Sequence, residues 1–242
     1  MGRPFLSVII PAYNEESRLP MALEKLFEFL SRQAYSAEVL VVENGSADRT
    51  LQIGQEFARD HANLQIMHLS QRGKGLAIQA GMAAAEGQFR FIADADFSMP
   101  VEEINLFLPP ACDCDITIAS REAPGAVRIN EPGFRHLTGR VFNSLIRLLV
   151  LPGLDDTQCG FKCFRAEAAQ DVFRHQTLGG WAFDVEVLHV ARLHGWCIRE
   201  VPIHWQYFPG SKVSVIRDSV RMFLDLLTIR RNTRQGLYAR KN

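Results

Sequence analysis

Two carboxylates one residue apart, Asp94 and Asp96, follow an apolar run in "FRFIADADFSMP", residues 89–100. Like charges at the end of a strand repel each other and lose solvation when buried, unless a cation sits between them. Hard oxygen ligands of this kind suit magnesium or manganese, which take one or two carboxylates and complete their shell with substrate phosphates. The pair is a weak signal taken alone, but a second feature points to the same ligand. Gly73-Lys74-Gly75 opens a stretch with helical spacing, so backbone N–H groups and an ammonium meet where a diphosphate would dock. The spacing is not that of a P-loop. Together the two features suit a nucleoside diphosphate bridged by a metal.

The elements that must position these residues alternate through the first half. Short β-branched runs at 5–12, 38–43, 64–69, 89–94 and 114–120 are separated by helical spacing at 17–32, 46–60, 74–86 and 100–108,. This order predicts an α/β chain with a mostly parallel sheet covered by helices on both faces. Ligands in such sheets collect beyond the carboxyl ends of the strands, where this chain places Tyr13–Glu16, Glu43–Thr50, Ser70–Gly75 and the Asp94/Asp96 pair. The second half lacks the alternation. Residues 121–135 read as an irregular loop; helices are expected at 136–151, 165–175, 182–194 and 214–231, and a strand at 197–206. Arg140, Asn143 and Arg147 share one face of the first of these helices, and Arg217, Arg221 and Asp225 one stripe of the last,. No linker or low-complexity segment divides the chain, so one domain is expected.

Composition excludes several classes. The 242 residues carry 27 Lys plus Arg against 27 Asp plus Glu, which gives no global field for nucleic acid. The five cysteines match neither a zinc pattern nor a secreted disulfide framework, and are expected as reduced thiols in a cytosolic protein,. The seven histidines show no ligand spacing. No apolar stretch is long enough to be a signal peptide or a membrane span, although 136–151 and 214–231 mix apolar residues with arginines as interfacial helices do.

Longer motifs narrow the reading. "SVIIPAYNEE", "VVENGSADRT", "RGKGLAIQAG" and "DADFSMP" together resemble the N-terminal half of the family 2, GT-A type inverting glycosyltransferases. "DTQCGFKCF", "WAFDVEVL" and "EVPIHWQYFPGSKV" are similar to the dolichyl-phosphate glucosyltransferase branch, close to the dolichyl-phosphate mannose synthases. The resemblance spans 5–231, with 5–120 as a nucleotide-sugar half, 121–231 as an acceptor half and 232–242 as a tail. It implies that Pro11, Tyr13, Asn14 and Glu15 line the nucleotide site, that Glu43 holds the base and that Lys74 lies near the donor. Asp94 and Asp96 match the metal and ribose motif, with Asp96 the direct metal ligand. The family usually shows two aspartates where this chain has Glu43 and Asn44, and a carboxylate there accepts from either uracil or guanine.

An acceptor phosphate is already ionised near neutral pH, its second pKa being about 6. It therefore needs cationic clamps more than a strong base. Arg121 and Arg135 resemble the family's acceptor-phosphate arginines, with Lys212, Arg128 and Arg140 as further candidates. Asp156 and Asp184 match positions at the donor sugar and acceptor entrance, and read equally as a turn cap and a charge at a helix N-terminus. Gln158 and Trp181 fall in the same motifs.

The expectation is a metal-dependent hexosyltransferase that uses Mg2+ or Mn2+ to move glucose from UDP-glucose to a dolichyl or polyprenyl phosphate, giving a β-linked product. It would work at the cytosolic membrane face and bind no nucleic acid, with a homodimer as an open option. Transfer of mannose from GDP-mannose, transfer to a soluble acceptor, and an inactive nucleotide-sugar-binding protein stay open. A nucleotidyltransferase is disfavoured because "PAYNEESR" replaces the glycine-rich loop after the first strand.

Overall fold

Val8, Ile9 and Ile10 occupy successive, opposite-facing positions of one strand, and all three are buried, which only a sheet covered on both faces allows. The structure, a computed structural model, describes residues 2–208 and 215–240, apart from the side chains of 134, 135, 137 and 215–219. Strands β1 (Leu6–Ala12), β2 (Ala37–Glu43), β3 (Leu64–His68) and β4 (Phe89–Ile92) alternate with helices α1 (Leu19–Ser31), α2 (Thr50–Asp60) and α3 (Lys74–Ala84). After a 3-10 helix at Val101–Phe107 come β5 (Ile116–Ser120), β6 (Val127–Ile129), α4 (Gly133–Leu149), β7 (Lys162–Arg165), α5 (Ala166–Arg174), α6 (Phe183–Leu193), β8 (Ile198–Pro202), β9 (His204–Gln206) and α7 (Val215–Arg234).

Seven strands form one sheet in the order β3-β2-β1-β4-β7-β5-β8, and β6 pairs with β9 in a small second sheet. All pairings are parallel except those of β7, which runs antiparallel to both β4 and β5. The chain moves outward from β1 to β3 and then returns to the other side of β1 as β4. That reversal opens a crevice at the carboxyl ends of β1 and β4.

One face of the sheet, with Ile9, Leu40, Val42, Ile92, Ile118 and Phe164, packs in a cluster with Ile78, Val172 and Leu188 of α3, α5 and α6. The other, with Val8, Ile10, Val39, Val41 and Phe91, packs with Leu19, Leu23 and Leu26 of α1 and Ile104 of the 3-10 helix. Each such aliphatic side chain contributes about 1.5–3 kcal/mol by leaving water.

Several expectations change, and the irregular loop expected at 121–135 holds β6 and the start of α4. The segment "DTQCGFKCF", read as preceding a helix, contains the first three residues of β7, a four-residue strand too short to show alternation. The strand expected at 197–206 is two strands: Pro202 has no N–H to continue a ladder, and after Ile203 the chain leaves β5 and pairs with β6. The cysteines are not all reduced. Cys114 and Cys197, which immediately precede or lie close to the starts of the paired strands β5 and β8, form a disulfide across 83 residues, while Cys112, Cys159 and Cys163 are free and buried. Finally, in the segment expected as a C-terminal tail, α7 continues to Arg234 and Tyr238 is buried in the main core cluster. Among the described residues, no helix is long and apolar enough to cross a membrane.

Candidate active site

The loops after β1 and β2 are clasped together. Asn14 adopts a positive φ of 52°, its N–H donates to Ser46 Oγ at 2.9 Å, and its Oδ1 accepts from Ala47 N at 2.8 Å. Glu15 N donates to Thr50 Oγ1 at 2.7 Å. Gly45, with φ 77°, lets the second loop turn back toward the first,. Tyr13 stacks under Arg72, whose guanidinium carbon is 4.1 Å from the ring centre,. Glu43, expected to hold the base, lies buried beneath the rim instead of in the cleft wall. It accepts from Ser46 N and from His68 Nδ1, the latter at 2.5 Å. Burial opposes its charge, yet these donors hold it below the usual carboxylate range. The residue that does line the cleft is Asn44, buried, with an Oδ1 that has no hydrogen-bond partner among the described residues.

The centre of the cleft is charged. Lys74, at the first position of α3, places Nζ 2.5 Å from Asp94 Oδ1 and 5.5 Å from the centre of the Trp181 ring. Burial disfavours its ammonium, but Asp94, Asp184 and Asp96 more than compensate and raise its pKa. Gly160 is packed against Asp94, and a Cβ there would fall 1.9 Å from Asp94 Oδ2. Asp96 Oδ1 accepts from Ser98 N at 3.2 Å and Ser98 Oγ at 2.6 Å, while Oδ2 lies 4.0 Å from Arg18 Nη1. Arg18 is itself held by Glu15 at 2.6 and 2.8 Å. Burial, followed by the charge of Asp94, pushes the Asp96 carboxyl above its usual range. Two close carboxylates, one of them destabilised as an anion, are a donor set that a hard divalent cation fits.

The part of the cleft built by the second half of the chain consists of ion pairs. Arg121, just past β5, grips the fully buried Asp156 through Nε at 2.6 Å and Nη2 at 3.0 Å, and its backbone N–H adds a third bond at 3.0 Å. Burial works against both charges and pairing prevails, holding Asp156 down to about 2 and raising Arg121 further. Glu200 of β8 fixes the same turn by accepting from Asp155 N and Asp156 N, both at 2.9 Å. Lys162, the first residue of β7, is fully buried with Nζ 2.7 Å from Asp184 Oδ1. Burial raises the Asp184 carboxyl despite Lys162 and Lys74. Arg121 also lies 5.2 Å from the Trp205 ring centre, and Arg128 is committed to Glu122 and Glu131, each at 2.5 Å.

These walls enclose a cleft of about 810 Å³, within the range of small-molecule sites. Of the residues singled out by sequence, Pro11, Tyr13, Glu15, Lys74, Asp94, Asp96, Arg121 and Asp184 line it, as do Arg128, Arg140, Gln158 and Trp181. Asn14, Glu43 and Asp156 stand behind the wall and hold it. Arg135 belongs to α4, but its side chain lies outside the described residues, as does Lys212 entirely. Sequence reasoning missed Arg18, Arg72, Lys162 and Glu200. A lysine heading a four-residue strand gives no spacing signal, and Glu200 acts 44 residues from Asp156. Phe142 and Asn143 of α4 and Arg221, Met222 and Asp225 of α7 complete the rim.

A second group of potential metal ligands, Asp171, His175 and His194, brings its ligand atoms within 4.8 Å of one another. None of the three lines the cleft. Both His194 ring nitrogens are engaged, with Asp171 Oδ2 at 2.8 Å and the Tyr238 carbonyl at 2.7 Å, and the imidazole-rich set suits a softer ion than magnesium.

The family model described as "Glycosyl transferase family 2" matches residues 7–173. A dolichyl-phosphate β-glucosyltransferase of Trichomonas vaginalis is 34% identical over 238 residues, covering 93% of this chain and 72% of the relative. The Homo sapiens protein of that name is 32% identical over 241 residues, covering 93% and 74%. Among solved structures, glucosyl-3-phosphoglycerate synthase from Mycobacterium tuberculosis in complex with uridine diphosphate superposes with a TM-score of 0.70 at 16% identity, covering 94% of this chain and 80% of that one. The fold is thereby the mostly parallel, doubly covered sheet that the sequence predicts.

Proposed function

The chain belongs to glycosyl transferase family 2 and is related to the dolichyl-phosphate β-glucosyltransferases, and from that premise we propose that it transfers glucose from UDP-glucose to a polyprenyl or dolichyl phosphate. The observation that carries the reading is one cleft lined by Lys74, Asp94 and Asp96 together with Arg121. The donor diphosphate docks against Lys74, whose ammonium stabilises its charge as the glycosidic bond breaks. Asp94 and Asp96 would hold Mg2+ or Mn2+; when bound, such an ion offsets the negative charge that accumulates on the departing diphosphate. Tyr13 lines the cleft beside Asn44, whose orphaned Oδ1 suits the N3–H of uracil,.

The acceptor phosphate arrives with an ionised oxygen, so no proton has to be removed before it attacks the anomeric carbon. A single displacement inverts that carbon and converts an α-linked donor to a β-linked product. Arg121 uses Nε and Nη2 on Asp156 and keeps Nη1 outside that pair. Asp156 and Glu200 thus hold the arginine in one orientation toward the incoming anion. Asp184, fixed by Lys162, offers a hydrogen-bond acceptor to the sugar.

The rim supports a lipid acceptor. Val141 and Leu148 of α4 and Val220, Phe223, Leu224 and Leu227 of α7 are exposed, with Arg140, Arg147, Arg221, Arg230 and Arg231 among them. Arginines beside exposed apolar residues favour an anionic membrane surface, and docking by these helices would bring the cleft mouth to the headgroups. The test is transfer of radiolabelled sugar from UDP-glucose and from GDP-mannose to dolichyl phosphate, with Mn2+ or Mg2+ and an Asp96→Ala control. Lipid-linked glucose from the uridine donor, lost in the control, is expected; donor hydrolysis without lipid product refutes the acceptor, and product from the guanosine donor alone refutes the sugar.

A further inference from the structure

Two buried carboxylates share the first turn of α6 and serve different surroundings. Asp184 faces Lys162 and the cleft. Glu186, fully buried, pairs with no cation among the described residues and is satisfied by four donors. Its Oε2 accepts from Thr177 N at 3.0 Å and Leu178 N at 2.8 Å; its Oε1 accepts from Thr177 Oγ1 at 2.5 Å and from the Tyr238 hydroxyl at 2.6 Å. A buried carboxylate demands such a set, because each lost donor leaves desolvated charge uncompensated. Asn232 Nδ2 closes the group, donating to both Thr177 Oγ1 and Tyr238 Oη at 3.1 Å.

The segment held by Glu186 continues straight into the cleft wall. The carbonyl of Gly179 accepts from Gly75 N at 3.0 Å and Leu76 N at 3.4 Å, at the start of the helix that carries Lys74. Gln176 Nε2 donates to the carbonyls of Gly75, at 2.9 Å, and Leu178, at 2.8 Å. The two strips fit without slack: a Cβ on Gly73 would lie 2.5 Å from the Gly179 carbonyl oxygen, and one on Gly75 2.7 Å from that of Leu178. A shift of residues 177–179 must therefore be passed to the turn that sets Lys74.

We propose that Glu186 and Tyr238 are positioning residues of the nucleotide-sugar site: they form a hydrogen-bond relay from the C-terminal segment, through Thr177 and Leu178, to the backbone around Lys74. The relay makes residues beyond α7 part of the donor site, although Tyr238 stands 52 residues from Glu186 and is absent from the cleft lining. It rests on the reading of Lys74 as a ligand of the donor diphosphate.

Tyr238→Phe removes one hydroxyl and keeps the ring, and Glu186→Gln keeps the shape of the side chain. Two readouts apply to the full chain: calorimetric binding of UDP with Mn2+, and amide hydrogen exchange over residues 73–80. The expected result is UDP binding weakened about tenfold, the factor that 1.4 kcal/mol represents, together with faster exchange at Gly75 and Leu76. A lowered melting temperature with unchanged UDP affinity and unchanged exchange at 73–80 would overturn the relay and leave both residues as ordinary packing. Should Tyr238→Phe fail to fold, Glu186→Gln and Asn232→Ala give the same two readings. If the wild-type chain binds no UDP, the nucleotide reading has failed, and exchange at 73–80 decides the relay by itself.

Discussion

The two walls of the cleft are built in different ways. On the side proposed for the donor, parallel strands deliver Tyr13, Asn44 and Asp94 just beyond their carboxyl ends, and the loops are clasped mainly by backbone N–H groups donating to Asn14, Ser46 and Thr50. On the side proposed for the acceptor, charged side chains hold one another: Arg121 with Asp156, Glu200 behind them, and Lys162 with Asp184. Loops placed by sheet topology keep their course when one clasping side chain is lost. A wall set by buried ion pairs does not, because removing one partner leaves a desolvated charge.

The largest expected effect tests that contrast. Asp156→Asn should cost about 3–5 kcal/mol in chemical denaturation, the penalty for breaking a buried pair, whereas Asn14→Ala on the donor wall should cost far less. The pH dependence has a defined sign. Asp156 is held down to about 2 from an ordinary 3.8, so the stability that it contributes is fully present above the ordinary value and is lost as pH falls from 3.8 toward 2,. Denaturant midpoints measured across that window should fall more steeply for the wild type than for Asp156→Asn. Equal slopes would show that the pair does not set the acceptor wall.

A smaller effect joins the walls. Gly160 lies between Asp156 and β7 in sequence but packs against Asp94 on the donor side. Gly160→Ala should displace that carboxylate and lower kcat/KM by about 10²-fold, the scale of a 1 Å misplacement, with the melting temperature little changed. Retained activity would mean that Asp94 can move without loss and that the walls are independent.

The same contrast explains what the sequence made legible. The donor wall depends on strand ends, and alternating apolar runs located Tyr13, Lys74, Asp94 and Asp96 before any coordinates. Glu43 is the last residue of β2 and lies buried behind the cleft lining, while Asn44, the next residue, lines it, a one-residue offset that the apolar run does not encode. The acceptor wall depends on contacts across 22 to 44 residues, such as Lys162–Asp184 and Asp156–Glu200, which no local pattern encodes. Motif resemblance found Asp156 and Asp184 but gave neither partner. The Cys114–Cys197 bond was hidden for the same reason, since the pairing of β5 with β8 brings those cysteines together across 83 residues.

The central claim is that this cleft glycosylates a phosphate at a membrane surface. Its most direct test offers radiolabelled UDP-glucose and Mn2+ to the full chain with two acceptors in parallel, dolichyl phosphate in anionic vesicles and 3-phosphoglycerate in solution. Label recovered in the lipid fraction, with none on phosphoglycerate, is the predicted result. Label on phosphoglycerate with none on the lipid would contradict it.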